Sequence, residues 1–578
     1  MRYLHILSAI VVTSLMTQCA KVTTPSGGTK DTIPPLLIKS WPENRQLNFN
    51  ENTIELSFDE AIQVNNPREQ ILITPTIGKK FELEARKNRA ILKLNAEPSL
   101  LENTTYTIAF RDAIQDLTER NPAVNLKLAF STGNYIDSLS IQGKVYDLFK
   151  GDPVKNFVVA VAPYHDTLNI FKHSAQWITL TNDKGVYSIE NLKAGTYLIY
   201  AFEDANKNLV VDSRSERHGF KATPIQLDSS ITGIDIPVIN LDTRDLKLIS
   251  AKPIGRYVNI RTTKGLATYS LKHADPDSAM VSLSEDPSTI RVYNTFPDKD
   301  SLMVHFTAKD SIDNRLDTLF YIKFEKRSTG TENFTLKIDP CDYYQNRTNL
   351  QAIIKFNKPV TNYLYDSVHI QLDSVNYVRF TSADFTWSTD HTQLILTKKL
   401  SKEIDFTRSP LARPPGQPIQ ERPVRRPSPG ERPPVEPKTD QPEKSYNQLA
   451  FPTGTFISVE NDTSTSTSSA IRTLTPESTG VIIVEAQTTK SILIQLTTKS
   501  GEVVASSTQP KARFDNLNPG DYFIRVVTDS NSNGKWDAGN FFLKKEPEPI
   551  LYYRNEAGQN AVNIKANWEL GPLLITLE

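Results

Sequence analysis

The chain has 578 residues, with 66 Lys and Arg balancing 66 Asp and Glu, and 38% of it is hydrophobic. That is material for about four domains of ~150 residues, or five of sandwich size, and too much apolar content for a globally disordered chain. Zero net charge excludes the basic excess a nucleic-acid binder needs, and two Cys exclude a disulfide-rich scaffold or a Cys-based zinc site.

In chain order, the first feature is an export signal. Arg2 precedes an apolar run from Ile6 to Met16, too short for the ~20 apolar residues that span a bilayer. Leu15-Met16-Thr17-Gln18-Cys19 follows and resembles a lipobox, with Gln18 where a small residue is usual. The resemblance implies cleavage before Cys19 and lipid attachment to it, with the membrane as a partner through the acyl chains. Residues 1–19 are thus expected to be the leader, and 20–34 a polar tether. No acidic run follows Cys19, which favours the periplasmic face of the outer membrane over the cell surface.

Beyond the tether the apolar residues alternate in short runs, as in Thr53 to Phe58, Tyr106 to Phe110 and Asn156 to Val161. Turn residues interrupt them at intervals of roughly 8–12 positions, the pattern of β-sandwiches. The expected fold class is all-β, a tandem of sandwiches.

Internal repeats divide the chain. Asn191-Leu192-Lys193-Ala194-Gly195-Thr196-Tyr197 returns as Asn516-Leu517-Asn518-Pro519-Gly520-Asp521-Tyr522. The spacing holds through Asp212 and Asp537, so two homologous modules lie at 135–242 and 476–578. Leu128-Ala129-Phe130-Ser131-Thr132-Gly133 likewise returns as Leu449-Ala450-Phe451-Pro452-Thr453-Gly454, relating units at 35–134 and 346–475. The later unit carries extra chain at 408–445 with eleven Pro, expected to be polyproline-II-like or disordered. A fifth unit, 243–345, has strand spacing but no usable motif.

The unit at 35–134 resembles the bacterial Ig-like domain of surface-layer proteins, through Pro42-Glu43-Asn44, Ile54 to Asp59, Leu101 to Thr107 and Phe130-Ser131-Thr132-Gly133. The unit at 346–475 is a looser copy. The unit at 135–242 resembles the carboxypeptidase-regulatory, transthyretin-like sandwich. Ile141 to Val145 starts its first strand, Asn182-Asp183-Lys184-Gly185 makes a hairpin turn, and Gly195-Thr196-Tyr197 enters the next strand. The unit at 476–578 repeats it. The order resembles the Ig-like envelope lipoproteins of Bacteroidetes. The resemblance implies an envelope protein without a defined activity, because such sandwiches serve as spacers or binding platforms more often than as enzymes.

Two loops are the candidate ligand sites. Asp204, Asn206, Asn208 and Asp212 occupy positions 1, 3, 5 and 9 of an EF-type loop, and so do Asp529, Asn531, Asn533 and Asp537, with Gly534 at position 6. The bidentate Glu expected at position 12 is missing: Ser215 and Asn540 stand there, and Glu216 follows one place later in the first loop only. Calcium is the candidate cofactor; the alternative is an Asx-turn hairpin with no metal. Nine Asp-Ser/Thr triplets resemble a Bacteroidetes O-glycosylation sequon, with Thr32 in the tether as the leading candidate.

No catalytic residues are assigned. The chain has no Gly-x-Ser-x-Gly, His-Glu-x-x-His or phosphate-cradling Gly-rich loop, and its eight His are scattered. Cys341 reads as a partly buried thiol at a domain edge. The expected function is a non-enzymatic, lipid-anchored envelope protein that binds or adheres to another envelope protein or a glycan, with no nucleic-acid partner. A purely structural spacer is the alternative, and a hydrolase built on two carboxylates is a third.

Overall fold

The computed structural model describes residues 31–577, except 79, 96–99, 274–280, 284–285, 296–299, 326–331, 374, 402–403, 405 and 407–445. The leader, Cys19, the tether up to residue 30 and the Pro-rich insertion at 408–445 lie outside the described residues.

The protein is a tandem of β-sandwiches. In the first, Leu37–Trp41, Thr53–Phe58, Arg89–Leu94 and Phe81–Arg86 form one sheet in that spatial order, and Leu72–Thr74, Thr105–Ala109 and Lys127–Ser131 form another. The alternation visible in the sequence has its cause here: Ile54, Leu56 and Phe58 are buried while Thr53, Glu55 and Ser57 between them are half-exposed. Phe130 packs edge-on against Phe49 and stacks on Tyr106, closing the core between the two sheets. Residues 31–34 lie against this domain: the Asn121 side chain donates to the Asp31 carbonyl at 3.1 Å, and Asp31 turns back onto the Ile33 amide. Thr32 is exposed between them.

The second sandwich runs Trp177–Leu180, Val158–Pro163, Gly195–Phe202, Arg217–Phe220, Ile236–Asn240, Leu139–Asp147 and Val186–Leu192. Its first and last long strands pair in parallel, Val145 beside Ile236 and Asp147 beside Val238. The fifth sandwich repeats this, with Gly480–Gln487 parallel to Glu569–Thr576 and antiparallel to Lys511–Leu517. The third unit is a sandwich too. Leu248–Ile254, Tyr257–Thr262, Thr289–Tyr293 and Val281–Leu283 share a core with Thr268–His273, Ser301–Lys309 and Arg315–Lys323. In the fourth, Asn349–Phe356 lies between Cys341–Tyr344 and Gln393–Lys399, and the strand Gln448–Phe451 follows the Pro-rich insertion. Cys341 is 1% exposed, and burial, helped by the adjacent Asp342 charge, pushes its thiol up to about 12, so it is an inert core residue.

The domains are not strung end to end. The first docks on the second through the buried Thr74 hydroxyl, which donates to the Ile178 carbonyl at 2.7 Å, and through the Thr76 amide on the Gln176 carbonyl. The fifth returns to the second. Leu493, Val527, Ala538 and Ile550 share one buried cluster with Leu148, Ile239 and Leu241 of the second and Ile312 of the third. The Tyr552 hydroxyl donates to the Leu148 carbonyl at 2.5 Å, and Asn540 donates to the Ile312 carbonyl.

Candidate functional site: two Asp/Asn loops at domain joints

Both candidate loops leave the end of an equivalent strand, Gly195–Phe202 in one module and Gly520–Thr528 in the other. The strands begin the same way. Asn191 and Asn516 are left-handed, with φ of 59° and 60°. The Tyr197 hydroxyl donates to the Lys193 carbonyl and the Tyr522 hydroxyl to the Asn518 carbonyl, both at 2.9 Å. Asn tolerates the left-handed region at little cost, which is why that residue type recurs.

The loops then fold on their own oxygens. The Asn208 amide donates to Asp204 Oδ1 at 3.0 Å and Asn206 Oδ1 at 3.1 Å. The Asn533 amide donates to Asp529 Oδ1 and Asn531 Oδ1 at the same two distances. Asp204 Oδ2 takes the Leu209 amide and Asp529 Oδ2 the Gly534 amide. Asn208 and Asn533 each take the amide two residues on, at 2.7 Å. Leu209 carries a φ of 59° where Gly534 carries 71°, so the first loop accepts a strained side chain at the position where the second has glycine.

Each loop is closed by a buried glutamate. Glu216 accepts the Ala205 amide at 3.0 Å and the Asp212 amide at 2.9 Å. Glu548 accepts the Ser530 amide at 2.6 Å and the Asp537 amide at 3.0 Å. Their exposures are 1% and 6%. The sequence pattern assigns a closing glutamate to the first loop only; the structure supplies one to both. The second was missed because it stands eleven residues after Asp537, whereas Glu216 stands four after Asp212. Burial outweighs the amide bonds at Glu216 and raises its carboxyl above the ordinary range, with Asp204 adding to the rise.

All eight predicted residues are therefore brought together in two sets of four. Their oxygens meet amide hydrogens, as in Asx-turns, and among the described residues no group of three or more His, Cys, Asp and Glu is placed to hold a metal ion. Asp212 also accepts the Ser215 hydroxyl, and Asp537 accepts the Asn531 and Asn533 side chains.

The rims of the loops make the joints between domains. Lys207 pairs with Glu69 of the first domain. Arg111, which donates to the Gln70 carbonyl at 2.7 Å, lines with them a cleft of about 960 Å³ that also borders Lys155 and Asp204. In the other module Trp536 packs edge-on to Phe149 of the second domain at 4.7 Å, and Phe541 beyond it meets Phe171 and Phe220. Phe541 and Phe542 belong to the residues that separate Asp537 from Glu548, and this longer connection forms an arm laid on the second domain.

Residues 31–132 match the family model of the bacterial Ig-like domain, so the first sandwich is an Ig-like domain of the bacterial kind. No curated protein matches the chain. Among solved structures the chain is similar to BcpA, the major pilin subunit of Bacillus cereus, at 10% identity over 76% of this chain and 99% of that one, TM-score 0.13. A streptococcal ancillary pilin follows at 11% identity over 44% and 81%, TM-score 0.14. The human desmocollin-1 ectodomain matches at 8% over 79% and 83%, TM-score 0.11.

Proposed function

We propose that the protein is a non-enzymatic module of the bacterial outer membrane that binds or adheres to another envelope protein or a glycan, held by lipid on Cys19 and facing the periplasm. An Ig-like domain of the bacterial kind supports a role in adhesion or support rather than catalysis. The observation that favours a binding body over an extended spacer is the return of the fifth domain onto the second. A chain folded back in this way does not hold its five sandwiches end to end, and it presents several sandwich ends on one body.

The test is a cross-linking pull-down from native envelopes, run beside the Cys19→Ser variant. Recovery of one protein or glycan supports the binding role. Loss of membrane association in the variant supports the anchor, and retention of it rejects the anchor. For the two loops the proposal is Ca²⁺ at modest affinity, ~10⁻⁴–10⁻³ M. A carboxylate oxygen that accepts one amide still has a lone pair for a cation. An unfolding midpoint unmoved by EDTA rejects a stabilising metal.

A further inference from the structure

The third sandwich carries an edge strand whose charges are complementary to themselves. Among the described residues Arg315–Lys323 pairs only with Ser301–Lys309 and is the edge of its sheet. It is nine residues long, and its outward side chains include Leu319 and Tyr321, each 66% exposed, beside Met303 at 46% on the neighbouring strand. Edges of this length and apolarity are normally shortened, covered or interrupted, because they template pairing with another chain.

Which backbone groups face outward follows from the hairpin. The Asp310 amide donates to the Asn314 carbonyl, so bonding with the partner strand falls on even-numbered residues, Leu316, Thr318, Phe320 and Ile322. The odd-numbered ones, 315 to 323, turn their N–H and C=O to the free edge. The strand Leu248–Ile254 of the opposite sheet approaches this edge but does not pair with it.

We propose that this edge is a homodimer contact, with a second copy of the chain adding its own Arg315–Lys323 strand antiparallel across a two-fold axis at Phe320. In that register Asp317 stands opposite Lys323 of the second copy, Leu319 opposite Tyr321, and Arg315 opposite Glu325. Each pair occurs twice, and two three-stranded sheets become one of six. The neighbouring registers are disfavoured. A shift of two residues one way sets Arg315 against Lys323, the other way sets Asp317 against Glu325, and a shift of one turns the wrong backbone edge outward. Among the described residues no ion pair engages Arg315, Lys323 or Glu325. Asp317 Oδ1 meets His305 Nε2 at 2.6 Å, which leaves Oδ2 to the partner.

The experiment is sedimentation of the full chain carrying Cys19→Ser across a concentration series, a background that is harmless whether or not Cys19 is lipidated. A monomer–dimer equilibrium is expected. Asp317→Lys alone and Lys323→Asp alone should each weaken it by roughly tenfold, since two attractive pairs become repulsive. The double variant Asp317→Lys/Lys323→Asp should restore it. These side chains are exposed, and an unchanged unfolding midpoint confirms that each variant folds. A monomer throughout the series, association that the single variants leave alone, a double variant that stays weak, or growth beyond the dimer would each overturn the proposal. None of these outcomes bears on envelope anchoring or on partner binding.

Discussion

The loop at Asp204 and the loop at Asp529 share the amide bonds to their first Asp, their two Asn and their closing Glu, yet join different neighbours. The first reaches the first domain through Lys207 and Glu69. The second reaches the second domain through Trp536 and the arm behind it. The residue matching Trp536 in the first module is Val211, buried within its own domain at 2% exposure. One inherited loop thus keeps its inner bonds and changes its rim. The inner bonds fix where the rim residues point, and the rim decides what the module packs on.

The sharpest way to break this comparison is at the closing glutamates. Glu548→Ala removes the charged acceptor of the part-buried Ser530 and Asp537 amide bonds, and near the lower end of the about 1.5–3 kcal/mol that each bond to a charged group contributes, the loss should reach roughly 3–4 kcal/mol. Glu216→Ala should cost a similar amount. Denaturant unfolding of both variants measures this, and a large inequality between them would show that the loops are alike in geometry only. Next in size is Trp536→Ala. It removes a ring from the interdomain cluster and should cost about 2–3 kcal/mol, with faster proteolysis between the fifth domain and the rest; undiminished protease resistance would mean the arm does not hold the joint.

A smaller effect should appear with pH. The Glu216 carboxyl is raised above its ordinary 4.5, so the folded state holds that proton more tightly than the unfolded one. Its contribution is fully present below 4.5 and declines as pH rises through the raised value. Glu216→Gln should flatten that part of the stability profile; an unchanged slope would place the titration elsewhere. The smallest change is expected at the rim. Lys221 and Glu546 meet at 2.9 Å with each side chain about a third exposed, and Lys221→Met should cost no more than about 1 kcal/mol.

Much of this was legible in the sequence. Alternation in segments such as Thr53–Phe58 gives the sandwich class because a strand with one buried face must alternate. The constant spacing from Asn191 to Asp212 and from Asn516 to Asp537 carries the loop geometry, since every bond in it is made between residues close in sequence. Glu548 was hidden because the arm inserted before it breaks that spacing. The return of Trp536 to Phe149 was hidden for a deeper reason. Burial on each side calls only for apolar residues, and nothing local says that the partner is almost four hundred residues away. The self-complementary edge became readable only once the Asp310–Asn314 hydrogen bond fixed which residues turn outward.

The docking of the fifth domain on the second also determines how the molecule carries load. The chain from second to fifth is closed by a non-covalent seam at Leu148, Phe149, Trp536 and Tyr552. A pull applied between the first domain and the fourth would have two routes. One runs along the covalent chain through the third domain, and the other crosses the seam and passes back through the fifth, whose Asp515 meets Arg347 of the fourth. The body is braced like a truss, and one domain in the ring can yield while the other route still bears the pull.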